Sequence, residues 1–414
     1  MSPAARFVSS RLSPFKIKEF RYLYFAQLFS WIGSWMQDMG KSWLVLSLFG
    51  RGKEMGMLMI ASAIPVACFG VYSGTYADKN NSKKILTVTQ FALFFTALLL
   101  AVFSYLGILK FWQMLMIAFI EGLCIAFDAP AFQVILPRIV GKENLQQTLA
   151  LNSSSFHLSR IIGPAIGGLL LAAFNVSSIF FINALSFLAV SITIMSLKKI
   201  NATPATHKSN ASFKDFIKFL WGHAFFSKVL VQFLIVMTFI FPHTFTTMRL
   251  LVTERFHLDG HGFGILLTGP GLGAFLGSTL LVIVKPEKPY QLFPWGLCGI
   301  VIFGSLILGC NDFWTMNVLL MFYTLSLFLY LSSLLVSLQI TTDHSLRGRL
   351  GALVTMVFAA WSPLWSAVWG WCSDHFGSPN VFTATGIVFL FLSLLVVSFW
   401  KRFFNSLSLE PSAK

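Results

Sequence analysis

Residues 74–84 read Gly-Thr-Tyr-Ala-Asp-Lys-Asn-Asn-Ser-Lys-Lys and join two long apolar stretches, 55–77 and 85–106. Each stretch is about the 20 residues that a helix needs to cross a bilayer core. A short basic loop between two such helices belongs on the cytoplasmic side of a membrane. Gly74 removes a side chain where helix ends have to approach closely. Asp78 is a helix-capping or pairing residue. Lys79, Lys83 and Lys84 supply the inside charge. The loop therefore predicts helical hairpins in lipid.

Composition leads to the same class. Hydrophobic residues make up 56% of the 414 and charged residues 11%, with a mean hydropathy of +0.76. Soluble domains carry about 25% charged residues, so this chain has too little polar surface to face water. Twelve apolar spans are expected, at 22–49, 55–77, 85–106, 111–136, 145–174, 177–197, 221–250, 262–284, 292–310, 313–338, 346–372 and 380–400. The fold class is all-α and membrane-integral.

A formal charge of +15 invites a nucleic-acid partner, but the placement of the charge rejects one. With the N-terminus cytoplasmic, 22 of the 30 basic residues fall on the inside, and five, Arg249 among them, fall in outer loops. This asymmetry follows the positive-inside rule and puts both termini in the cytoplasm. It also favours contact with anionic membrane lipids. The first span is too long for a cleaved signal and reads as an uncleaved insertion signal. All five cysteines sit in predicted spans without metal-ligand spacing, so no metal, disulfide framework or cofactor is expected.

The longest polar interruption, 198–219, divides the spans six and six. The expected organisation is a basic N-terminal segment (1–21), a six-helix half (22–198), a cytoplasmic linker (199–220), a second six-helix half (221–403) and a tail (404–414). Two halves joined in this way place substrate at their interface.

The fifth span carries Gly163-Pro164 followed by Gly167-Gly168. Glycines at this spacing make a groove that admits a neighbouring helix, and the proline interrupts the hydrogen-bond ladder.

The 74–84 loop resembles the signature loop between helices 2 and 3 of the major facilitator superfamily. Five of the six fixed positions match, and Asn81 stands where that family has Gly. Asn is the next residue most tolerant of positive φ. The Gly-Pro/Gly-Gly run resembles the end of the fifth-helix antiporter motif of drug–proton exporters, with Ala150 and Ser159 in place of its two upstream glycines. Together with residues 20–27, 35–38, 127–131, 151–164 and 346–349, these motifs resemble the drug:proton antiporter-3 branch, which includes macrolide-efflux and enterobactin-exporter proteins. The resemblance implies twelve helices in two pseudo-repeats, with the first, fourth, seventh and tenth lining a central cavity. It also implies proton-driven export, with the loop as conformational gate and the fifth helix as a seal against proton leak.

Ionisable residues inside spans are costly and mark function. Glu121 and Asp128 lie seven apart on the fourth span, and His157 and Arg160 three apart on the fifth. At 1.5 Å per residue, Glu121 and Arg160 lie about 25 and 22 Å from the inner ends of their helices, and Asp128 and His157 about 15 and 18 Å. Two rungs are expected, Glu121–Arg160 and Asp128–His157. Asp38 adds a carboxylate about 25 Å deep on the first span, with Lys41 one turn beyond. Glu121 is the first choice for proton exchange, and His157 the alternative relay. The same pairs would also serve simply to fix helix register. Candidate cavity residues are Trp31, Trp35, Gln27 and Asn152, with His243 and Arg249 on the seventh span toward the outer mouth and Pro242 as a kink that makes that helix a gate. Trp361, Trp365 and Trp369 form an i, i+4, i+8 stripe that reads as packing or lipid-facing.

There is no Gly-x-x-x-x-Gly-Lys-[Ser/Thr], His-Glu-x-x-His or Gly-x-Ser-x-Gly, which argues against ATP-driven transport and against an enzyme. The expected activity is monomeric, proton-coupled export of a small molecule across the bacterial inner membrane. The cargo is a siderophore or similar anionic or amphiphilic metabolite, or alternatively a macrolide-type drug. A membrane enzyme or a receptor on the same fold are remote alternatives.

Overall fold

The computed structural model describes residues 13–49, 52–197, 222, 224–284, 289–341, 350, 353–354 and 356–407. Expectations for the remainder, including the linker at 199–220 and most of the inner charges of the second half, lie outside the described residues. Among the described residues nine segments are long and apolar enough to cross a membrane.

The chain divides into two units. The first comprises Met1–Gly50, Met57–His207 and Leu258–Gly271, and the second Arg51–Gly56, Lys208–His257 and Leu272–Lys414. The six-and-six reading did not anticipate that two short segments group with the opposite half of the sequence.

The first unit is built from α1 (Lys18–Phe49), most of α2 (Gly52–Lys79), α3 (Ser82–Tyr105), α4 (Phe111–Ala173) and α5 (Val176–Ser196). α1 packs along α4 and α5, and α3 along the same two helices. One core joins Leu23, Ala77, Leu86, Ala131, Ile135, Val190 and Ile194. α4 holds the expected fourth and fifth spans as one run of 63 residues broken at Gly141, whose φ of 73° and ψ of 165° are non-helical. Only glycine takes that φ without strain, so Gly141 makes the turn. α1 starts at Lys18, so the expected basic N-terminal segment overlaps it.

In the second unit the seventh span is broken. α6 (Ala224–Phe239) gives way to the short α7 (Phe241–Phe245) and then α8 (Thr247–Phe256). Pro242 sits in the first turn of α7, where its missing N–H costs nothing. α9 (Gly260–Val284), whose residues up to Gly271 belong to the first unit, α10 (Phe293–Gly309) and α11 (Phe313–Thr341) follow, then a π turn at Val357–Trp361, α12 (Ser362–Phe376) and α13 (Ser378–Leu407). α13 carries helix past residue 403, into the expected tail. Arg255 donates to the carbonyls of Ile307, Leu308 and Cys310 at 3.2, 3.0 and 2.7 Å, closing the C-terminal end of α10. Asp312 accepts the Thr315 N–H at 2.8 Å, and this bond holds its carboxyl below the usual range.

Candidate functional site

A chain of polar side chains crosses the first unit. Lys41 on α1 meets Glu121 on α4 at 2.7 Å. Gln37, one turn before Lys41, donates to the other Glu121 oxygen at 2.7 Å. Asn183 on α5 donates to Gln37 at 2.8 Å, and Ser186 donates to Asn183 at 2.9 Å. Glu121, Gln37, Asn183 and Ser186 are all buried. Asp38 adds a second carboxylate to the field at Lys41.

The Glu121–Arg160 rung is therefore corrected: Glu121 is paired with Lys41 and Gln37. Arg160 instead lies over the Trp35 ring, 5.2 Å from its centroid. The reason is its stripe. Arg160, Gly163 and Gly167 share one helical face, and that face meets α1. A Cβ on Gly163 would lie 2.5 Å from the Trp35 Cβ and 2.9 Å from the Ile32 carbonyl, and one on Gly167 3.5 Å from the Met36 Cα. Phe156 closes the cluster, 5.8 Å from both Trp31 and Trp35. Gln27 is buried nearby in sequence on α1, and Asn152 is half-buried on α4.

Asp128 accepts Thr89 Oγ1 at 2.7 Å and Gln90 Nε2 at 2.9 Å, both from α3. Although Glu121 and Asp128 are two turns apart, they meet different neighbours, because α4 packs on both α1 and α3. The side chains of His157 and Asp78 lie outside the described residues, and with them the second rung.

Gly168 faces the start of α9. A Cβ there would lie 2.8 Å from the Gly264 Cα, while one on Gly271 would lie 2.9 Å from the Arg160 carbonyl. The Gly-Pro/Gly-Gly face thus meets two helices, and Pro164 contributes its carbonyl to the contact with Gly264.

In the 74–84 loop, Asp78 falls inside the last turns of α2. The cap of α3 is Asn81, whose side chain accepts the Lys84 N–H at 3.2 Å with φ of −72°. Capping, rather than tolerance of positive φ, explains the Asn. Lys83 donates to the carbonyls of Met195 (2.9 Å) and Leu197 at the end of α5. Lys79 and Lys84 are exposed. A Cβ on Gly74 meets nothing within 4 Å among the described residues, so no close approach is seen there.

In the second unit Arg249 is buried on α8, within the apolar segment Phe226–Phe256; its assignment to an outer loop is corrected. His243 is buried on α7, with Thr385 Oγ1 at 2.6 Å from Nε2. The tryptophan stripe packs: Trp361 and Trp369 donate to Thr238 Oγ1 (2.9 Å) and the Thr238 carbonyl (2.6 Å), and Trp365 stacks on Trp369. Sequence reasoning passed over Asp374, which accepts the Gly52 and Lys53 N–H groups at 2.6 and 2.8 Å.

The family described as transmembrane secretion effector matches residues 9–414. The chain belongs to that family. It is a multi-pass membrane protein and a secondary transporter of the major facilitator superfamily rather than an enzyme. This secretion-effector chain is 24% identical over 374 residues to the staphyloferrin A transporter of Staphylococcus aureus, spanning 89% of this chain and 92% of that one. It is 25% identical over 176 residues to macrolide efflux protein A of Streptococcus pyogenes, 42% of this chain and 44% of that one. Among solved structures, a bacterial homolog of the human lysosomal transporter Spinster, in an inward-facing and occupied conformation, aligns with a TM-score of 0.74 at 12% identity over 93% and 97% of the two chains. The nucleoside transporter NupG aligns with a TM-score of 0.69 at 14% identity over 92% and 98%. These likenesses carry the fold.

Proposed function

We propose that this transporter exports a small anionic or amphiphilic metabolite of the siderophore class in exchange for protons, by alternating access. The observation that carries the reading is the Lys41–Glu121 pair, with Glu121 buried and Lys41 partly so, and its Gln37–Asn183 extension. A titratable pair enclosed in membrane-spanning helices is a functional site by default. Separating Lys41 from Glu121 would leave a carboxylate without a counter-ion in low dielectric, and taking up a proton removes that charge. Re-forming the pair expels the proton, so one proton biases two states. Asp38, in the field of Lys41, and Asp128, held separately by Thr89 and Gln90, are the other candidate carboxylates.

Arg160 over Trp35, with Trp31 and Phe156 beside it, offers a cation and apolar walls to an anionic amphiphile. Similarity to the staphyloferrin A transporter over most of both chains supports a siderophore. Similarity to macrolide efflux protein A and the aromatic walls favour a second reading, efflux of a hydrophobic drug. In either reading the protein works as a monomer in the bacterial inner membrane, with both termini cytoplasmic and its two six-helix halves joined by the 199–220 linker. The 74–84 loop acts as gate, and the Gly163–Gly168 face as seal.

Reconstituted liposomes with an imposed proton gradient test the coupling. Glu121→Gln should abolish uphill transport while protein level is kept. Normal coupling in Glu121→Gln, Asp38→Asn and Asp128→Asn alike would refute it. For the cargo, a deletion strain should excrete less siderophore under iron limitation. Unchanged siderophore together with new sensitivity to lipophilic drugs would select the second reading.

A further inference from the structure

The second unit contains a cavity of about 130 Å³ bounded by Ile240 and His243, by Gly304 on α10, by Tyr323 on α11 and by Phe382 and Gly386 on α13. Its walls are mostly apolar and include no Asp, Glu, Lys or Arg. Two of its residues hold polar atoms without a partner among the described residues, His243 Nδ1 and the Tyr323 hydroxyl. Each residue is only 1% exposed. Buried polar atoms of this kind are uncommon and call for a partner, because leaving one unmade costs its desolvation.

The hydrogen bonds around His243 indicate what that partner offers. Thr385 Oγ1 lies 2.7 Å from the Val381 carbonyl and 2.6 Å from His243 Nε2; with its proton on the carbonyl, it accepts from Nε2–H. Nδ1 is then a lone-pair acceptor. Tyr323 retains an O–H to donate. A hydroxyl can both donate and accept, so it suits either group.

Size and polarity narrow the class further. An apolar cavity of roughly 150 Å³ is known to take benzene, so one six-membered ring fits here. A charged ligand would find no counter-ion in the lining. The Tyr323 and Phe382 rings, 6.2 Å apart, and the Phe382 and His243 rings, 5.6 Å apart, offer aromatic faces and edges. Ile387, 63% exposed on a membrane-spanning helix, stands at the rim, so entry is from the hydrocarbon.

We infer that this cavity is a binding site for a small, neutral, hydroxylated ring compound of the phenol class, reached from the lipid and distinct from the Arg160–Trp35 cluster. The inference stands whether or not the export reading does, since its test measures binding and no transport.

The probe is phenol, with benzene and ionised benzoate for comparison, titrated by calorimetry into the full chain in detergent. One saturable phenol site is expected, with benzene weaker and benzoate without a saturable component. Tyr323→Phe removes only the hydroxyl and should weaken phenol about tenfold, the loss of one hydrogen bond, while leaving benzene unchanged. Retained benzene binding also shows that this variant is folded. Gly386→Leu puts a side chain where a Cβ meets nothing within 4 Å and should abolish both ligands. Absence of a saturable phenol component in the wild type would overturn the inference. So would equal phenol affinity in Tyr323→Phe, or benzoate binding as tight as phenol.

Discussion

Removing one member of the Lys41–Glu121 pair leaves the other as a buried charge, and this asymmetry predicts how the residues behave. Lys41→Met alone should cost about 3–5 kcal/mol, because Glu121 keeps its charge with only Gln37 to meet it. The double variant Lys41→Met/Glu121→Gln should recover most of that loss, since no unpaired charge remains. Thermal unfolding in detergent reads both, and a double variant as unstable as the two losses added would contradict the pairing. The sequence showed that Glu121 and Lys41 are ionisable groups in apolar helices. It did not show that they face one another, because rotation about a helix axis is set by packing. The misassigned Arg160 makes the point: its partner is chosen by the Gly163–Gly167 face, which presses that stripe onto Trp35 and Met36. Asn81 was legible as a turn residue, but its role as cap depends on where α3 begins, a boundary that propensity places only to a few residues.

Helices approach closely where glycine permits, and both close contacts described above depend on this. Gly168 and Gly264 bring α4 and the start of α9 together, with backbone against backbone. Gly168→Val should therefore destabilise by about 1–3 kcal/mol through overpacking, whereas Gly309→Ala, where a Cβ meets nothing within 4 Å, should be close to neutral. Comparing the unfolding midpoints of the two variants tests this, and equal effects would remove the packing role. The Gly-Pro/Gly-Gly motif announced a groove from sequence. Its second occupant, Gly264, sits nearly one hundred residues later with no local signal. A similar contact joins Gly52 and Gly370, where a Cβ on Gly52 would lie 2.6 Å from the Gly370 carbonyl. Here the Asp374 carboxylate takes the first two N–H groups of α2, groups that otherwise have no partner in a helix. Asp374→Ala should cost about 1 kcal/mol and speed hydrogen exchange at Gly52 and Lys53 above all other α2 amides. Unchanged exchange there would remove the cap.

At the scale of the whole molecule, composition alone reached the membrane class, because a chain with 11% charged residues cannot cover itself in water. The motifs reached the superfamily, and the match over residues 9–414 bears that out. The grouping of 51–56 with the second unit and of 258–271 with the first was not legible, since it rests on contacts with residues far away in sequence. Orientation rests on charge. Lysines and arginines resist translocation, so the loop holding Lys79, Lys83 and Lys84 is expected to stay inside, and the nearly uncharged turn around Asn311 to cross. Asn80 and Asn311 are both exposed, which makes them suitable reporters. With the five native cysteines replaced, a membrane-impermeant maleimide applied to intact cells should label Asn311→Cys and leave Asn80→Cys unlabelled until the membrane is opened. The charge argument leaves no intermediate outcome, because one span separates the sides and an odd number of spans lies between the two positions. Labelling of Asn80→Cys in intact cells would invert the protein, move both termini outside and end the reading of the 74–84 loop as a cytoplasmic gate.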